Sequence, residues 1–228
     1  MFGKLRDYEV ALSLNRPEFQ IWRSMTDRER RAKVVIGVID DRPFSPRENL
    51  ENTGYRIKIL GDPQSISVVE GCHIVLCDLQ DVGTALNPDK QGAFLIDEIR
   101  RNYPEKIVGA YTGGGMKPAI SREAFQRSDF FMKKDAVTDE WRDKLDAFIV
   151  KLLDPVEVWN RQRDVLVQKR IDTLTILNLE DAFVRSIKAR ENVQFAGFTR
   201  AVEASSGDVR AVVQSLIASG IYSILTGH

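Results

Sequence analysis

The chain has 228 residues but only two cysteines and two histidines. Cys72 and Cys77 are too few for a disulfide framework or a zinc site, so they read as reduced, partly buried thiols. His73 is the one internal histidine, since His228 ends the chain, and this scarcity excludes histidine-centred triads and most histidine metal sites. A lone histidine at the start of a strand reads as a solvated edge residue. No stretch approaches the roughly 20 uncharged apolar residues of a membrane span. The opening Met-Phe-Gly-Lys-Leu-Arg-Asp lacks the apolar run of a secretory leader, and the expectation is a cytoplasmic protein without membrane association. Net charge is also missing, because 33 basic residues balance 33 acidic ones. No general attraction to nucleic acid or anionic lipid follows.

What is present is a strong strand signal in the first two thirds of the chain. Val34–Ile39 is a continuous β-branched run, as expected of a strand buried on both faces, whereas Tyr55–Leu60 alternates and suits a sheet edge. His73–Cys77, Lys106–Tyr111 and Asp129–Met132 complete five strands. Ala93–Arg101, a short stretch from Ser121 to Phe125, and Thr138 onward carry helical spacing, with Thr138 as an N-cap followed by Asp139 and Glu140. Alternating strands and helices predict an α/β fold with a five-stranded, doubly wound parallel sheet. Ahead of it, residues 1–32 read as an N-terminal helical segment interrupted by Pro17. After Pro155 the strand signals stop, and residues 155–228 read as a helical C-terminal domain with caps at Asn178, Asn192 and Asp208. The Val209–Ile224 stripe is apolar enough to be the core of a small bundle. The domain boundaries expected are therefore 1–32, 33–154 and 155–228.

In such a sheet the carboxyl ends of the strands lie along one edge, where open α/β folds place their chemistry. Asp40 and Asp41 follow the first strand run, Asp78 the third, Thr112 the fourth and Lys133 the fifth. Three carboxylates brought together repel one another unless a cation joins them, and an all-oxygen donor set suits Mg2+. A strand-end carboxylate such as Asp78 is a competent nucleophile toward phosphorus, Lys133 would stabilise charge on the phosphoryl oxygens, and the Thr112 hydroxyl would hydrogen-bond one of them. Taken singly each residue has an ordinary reading: aspartates form turns after strands, Thr112 precedes Gly113-Gly-Gly115, and Lys133-Lys134 is a solvated charge pair. The ordered combination is the specific signal.

With those residues in that order, positions 33–154 resemble the receiver domains of two-component response regulators. The resemblance implies that Asp40 and Asp41 are the metal-binding acid pair, Asp78 the phosphoacceptor, Thr112 the switch hydroxyl and Lys133 the conserved lysine. It also implies that Phe130 is the switch aromatic and that the Gln80 backbone carbonyl joins the metal. Implied partners are a sensor histidine kinase or a small phosphodonor, with Mg2+ as cofactor and no catalysis beyond the protein's own phosphotransfer and dephosphorylation. Two features depart from the pattern: Lys134 stands where proline usually follows the lysine, and Asp81–Gln91 lengthens the loop after the acceptor. A phosphatase of the haloacid dehalogenase type is disfavoured, since it needs an acid where Gln80 stands. The expected function is signalling through a helical tail that binds a protein partner or a second copy of the chain rather than DNA. The alternative is a pseudo-receiver adaptor that binds partners without phosphorylation.

Overall fold

A computed structural model of the chain describes residues 20–113, 118–189, 207–218 and 220–226. The chain divides into two compact units, one of Asp27–Ile149 and one of Met1–Thr26 with Val150–His228. The first unit holds β1 (Val35–Ile39), β2 (Arg56–Ile59), β3 (Ile74–Asp78), β4 (Ile107–Thr112) and β5 (Phe130–Lys133). All pairings are parallel, and the order across the sheet is β2-β1-β3-β4-β5. This is the strand order of the flavodoxin-like doubly wound fold, whose topological switch lies between the first and third strands. The continuous apolar runs are the inner strands: every residue of β3 is buried, as is all of β1 after Val35. Alternating β2 is the exposed edge.

The helices of this unit are α1 (Asp27–Lys33), α2 (Arg47–Asn52), α3 (Gly92–Asn102), α4 (Pro118–Arg127) and the start of α5 (Thr138–Leu153). The crossover between β2 and β3 contains only a 3-10 turn, Ile66–Val69, where a longer helix is usual in this fold. Helix α4 starts earlier than the Ser121 of the sequence reading because Pro118, with its fixed φ and missing N–H, suits the first helical position. Helix α1 is tied to α5 by a buried fork: Arg31 Nε and Nη2 donate to the two Asp146 oxygens at 2.9 and 2.6 Å. The Tyr55 hydroxyl donates to the same carboxylate at 2.7 Å. Burial would push Asp146 up, but the hydrogen bonds from Arg31 and Tyr55 outweigh it and hold the carboxyl below its ordinary range.

The helical unit contains α6 (Pro155–Gln168), α7 (Thr173–Ala189), α8 (Gly207–Ala218) and α9 (Ile221–Thr226). Asp154 caps α6 by accepting from the Val156 N–H at 2.9 Å, and Pro155 occupies the first helical position. The break between α6 and α7 falls at residues 169–172 rather than at Asn178. Arg170 takes a left-handed φ of 58°, and Asp172 caps α7 by accepting from the Thr175 N–H and hydroxyl. Trp159 stacks on Phe183 at 5.2 Å and donates its indole N–H to buried Glu180. Val209, Val212, Val213, Leu216 and Ile221 are buried, so the last apolar stripe lines the bundle. Val167 and Leu174, flanking the turn, remain exposed. The helix expected after Asn192, and most of the expected N-terminal helical segment, lie outside the described residues. No described helix is long and apolar enough to cross a membrane.

Both cysteines are buried and unpaired, and burial pushes their thiols up. His73 is not the solvated residue its position implied: it is 8% exposed, and its Nδ1 accepts from the Val35 N–H at 2.9 Å, at the start of the β1–β3 pairing. Burial, aided by the nearby cations Lys106 and Arg56, depresses its pKa to about 4. The unfolded chain therefore binds the proton more tightly than the folded one. The stabilisation is complete above about pH 6.5 and is lost as the pH falls toward 4. Acidification from pH 7.5 to 5 is expected to cost about 2 kcal/mol through this group. Urea unfolding of the parent and His73→Asn, whose Oδ1 keeps an acceptor but cannot titrate, should show that much less acid sensitivity in the variant.

Candidate functional site

Because β1 and β3 are parallel neighbours, paired from Ile36↔Ile74 to Ile39↔Cys77, Asp40 and Asp78 emerge together at the carboxyl edge. Asp40 is 2% exposed and Asp78 3%. Oxygens of Asp40, Asp41 and Asp78 all lie within 4.8 Å of one another, with Asp41 exposed. Asp40 Oδ1 accepts from the Arg42 N–H at 2.9 Å, and Oδ2 accepts from the Tyr111 hydroxyl at 2.7 Å. Asp78 Oδ1 accepts from the N–H groups of Leu79, at 2.7 Å, and Gln80, at 3.3 Å. The remaining partner of both is a single ammonium: Lys134 Nζ lies 2.6 Å from Asp78 Oδ2 and 3.0 Å from Asp40.

The electrostatics follow from that geometry. Burial pushes the Asp78 carboxyl above its ordinary range, with Lys134 pulling the other way. For Lys134 burial acts downward, yet the hydrogen bonds from its ammonium to Asp78 and Asp40 win and the net shift is upward. Burial and the bond to Asp40 also push Tyr111 up strongly, so this phenol is a fixed donor. Trp141 and Phe44 meet the Tyr111 ring at 5.6 and 5.8 Å and exclude water from that side.

The lysine is displaced by one from the sequence reading. Lys133 ends β5 opposite Thr112, and its side chain is exposed. Lys134 leaves the strand, donates its N–H to the Thr112 carbonyl at 3.0 Å, and turns its ammonium to the acids. Two adjacent lysines carry no internal mark of which one reaches the edge, and the resemblance implies Lys133 with Phe130 three residues before it. Phe130 instead lies over Gly109, where any Cβ would collide with its ring, and stacks on Phe148 of α5 at 4.7 Å. Phe131, three residues before Lys134, is half-buried beside Phe125. Thr112 is also half-buried, and its hydroxyl donates to the Gln80 side-chain oxygen at 3.5 Å. Tyr111 was not singled out from the sequence. The signal available was a tyrosine inside an otherwise apolar run, whose hydroxyl needs a partner once buried.

The loop after Asp78 is ordered by its own contacts. Asp81 and Gln91 have left-handed φ values of 59° and 51°, and the Gln91 side-chain oxygen accepts from the Asp81 N–H at 3.1 Å. Asp62 accepts from the Gly83 N–H, fastening the loop near the end of β2. Gly92 begins α3 against the acceptor strand, and a Cβ there would collide with the Asp78 carbonyl oxygen.

Chemically, the edge offers three carboxylates to a hard cation and a nucleophilic oxygen on Asp78, with a cation already beside it. An oxygen-only donor set with exposed Asp41 at its outer side fits Mg2+, which Asp40, Asp41 and Asp78 would hold. Replacing Lys134 by methionine leaves two buried carboxylates without their shared cation, and should lower stability by about 1–3 kcal/mol in metal-free urea unfolding. Lys133→Met is expected to change it by no more than about 0.5 kcal/mol, as for other exposed positions.

No protein-family model matches the chain, and no curated protein matches it. Solved structures do. A receiver domain protein from Methanospirillum hungatei is 16% identical over 51% of this chain and 93% of its own, with a TM-score of 0.41. The isolated receiver domain of RcsB from Salmonella enterica, solved with a phosphomimetic, is 20% identical over 50% and 87%, with a TM-score of 0.40. A response regulator from Thermotoga maritima is 15% identical over 51% and 97%, with a TM-score of 0.39. The similarity covers about half of the chain, and these three structures are two receiver domains and a response regulator.

Proposed function

We propose that this is a two-component-type signalling protein whose receiver-like unit accepts a phosphoryl group on Asp78. The observation that supports the reading most is the convergence of Asp40, Asp41 and Asp78 with Lys134 at one sheet edge. The Asp78 oxygen now held by Lys134 attacks phosphorus. The new bond is carboxylate oxygen to phosphorus, the bond broken is phosphorus to the leaving atom of the donor, and the electron pair departs with that leaving group. The donor is a sensor histidine kinase's phosphohistidine, in which the leaving atom is nitrogen, or a small acyl phosphate. Bound Mg2+ would neutralise the developing negative charge. Lys134 exchanges its bond to the Asp78 carboxylate for one to a phosphoryl oxygen, and the Thr112 hydroxyl is near enough to the acceptor loop, through Gln80, to donate to another. Beside these, Lys133 has the lesser role of an exposed neighbour, and Phe130 that of a core residue packed on α5.

Acetyl phosphate with Mg2+ should add one phosphoryl group per chain by intact mass, and Asp78→Asn should abolish it. An unmodified parent chain under all donors would favour the adaptor reading, in which the same edge serves only the fold.

On this proposal the output is the helical unit, acting on a protein partner or a second copy of the chain. Among its described residues, Val167 and Leu174, beside the 169–172 turn, are the large exposed apolar side chains available to it. Light scattering with beryllofluoride and Mg2+ is expected to show a concentration-dependent dimer that the double substitution Val167→Ser, Leu174→Ser weakens about tenfold or more, whereas a monomer at every concentration would leave only the partner-docking form.

A further inference from the structure

Arg42 touches three carboxylates at once. Its backbone N–H donates to Asp40 Oδ1 at 2.9 Å, its Nε lies 3.5 Å from Asp41 Oδ2, and its Nη2 lies 3.3 Å from Asp81 Oδ2. The first contact belongs to the fold, because any residue other than proline would make it. The other two depend on the guanidinium, whose side chain is 66% exposed and which spans from the strand-end acid to the first residue of the ordered loop. Asp81 is held in place for this by its left-handed backbone and its bond from Gln91. The rim of the edge thus carries a second cation, separate from Lys134: Lys134 serves the buried pair Asp40 and Asp78, and Arg42 serves the exposed pair Asp41 and Asp81.

We propose that Arg42 is a positioning residue that competes with a divalent cation for Asp41. Its fork holds Asp41 against Asp81 in the metal-free protein, releases Asp41 when the cation takes that carboxylate, and remains anchored on Asp81 at the rim. This rests on the reading of the edge as a cation site. An arginine suits the exchange because its planar fork reaches two carboxylates in different directions while a lysine offers a single point charge. An exposed pair is also weak enough to be exchanged. Cation affinity is then set partly by a residue that is not a ligand.

Mg2+ titration of the full chain without phosphodonor, followed by NMR at constant ionic strength, tests this. The Arg42 Nε–H signal, assigned by its disappearance in Arg42→Gln, is expected to shift with the same midpoint as the Asp41 and Asp78 backbone amides. Arg42→Gln should bind Mg2+ about threefold more tightly, the scale of one exposed ion pair. Arg47→Gln removes an equal charge five residues along the chain, from a side chain whose ion pair is with Glu51, and should leave affinity unchanged. A stationary Arg42 signal while the amides shift, or an Arg42→Gln variant that binds no more tightly than the parent, overturns the exchange. Absence of Mg2+ binding in both proteins overturns the cation site and the exchange together. Binding with the expected Arg42 response, but no phosphoryl adduct from acetyl phosphate, supports the exchange and removes only the acceptor role of Asp78.

Discussion

One ammonium holds the carboxyl edge of the sheet together. Asp40 and Asp78 are delivered side by side by parallel neighbours and are almost wholly buried, a placement in which two negative charges do not persist without a cation between them. Lys134 supplies it from the residue after β5, two strands from β3 and three from β1, and its stem therefore has to cross the end of β4. The supporting donors are arranged around this bridge: Tyr111 and the Arg42 N–H on Asp40, the Leu79 and Gln80 N–H groups on Asp78. An edge built in this way is costly to the fold if its cation is removed.

Much of this was legible from residue order. Buried parallel strands write themselves as continuous β-branched runs, and the polar residue ending each run is the one that reaches the edge. Asp40, Asp41 and Asp78 could be placed for that reason. Lys134 could not be told from Lys133, since the choice depends on where β5 ends and the chain hooks back to the Thr112 carbonyl, a tertiary detail. Phe130, which the resemblance implies to be a switch aromatic, packs over Gly109 and against Phe148, a placement that depends on those partners and not on its spacing from a lysine. His73 was misjudged because burial of a strand start depends on what lies over it, and a single sequence does not show that Val35 lends it a hydrogen bond.

In the helical unit, local chemistry was the better guide. Asp154-Pro155 states a helix start in two residues, and the structure uses both. The turn at 169–172 was hidden because helical apolar spacing runs through it. What ends α6 is a left-handed Arg170 and the competing cap of Asp172, not a glycine or proline that would have announced the stop. The apolar stripe beginning at Val209 has a bland destination, the interior formed around Trp159 and Phe183.

The loop from Asp81 to Gln91 is fastened at its neck by one side chain to one backbone N–H, while α3 resumes immediately behind it with Gly92 pressed on the Asp78 carbonyl. The loop is also tied along its length: Asp62 accepts from the Gly83 N–H, Val82 is fully buried, and the Lys90 ammonium meets Glu123 at 2.7 Å. Its root is as immovable as the strand it packs on, so the spacing between Asp78 and α3 is set there. Variation of the surface beside the carboxyl edge is therefore confined to the short exposed stretch Thr84-Ala85-Leu86 between these ties.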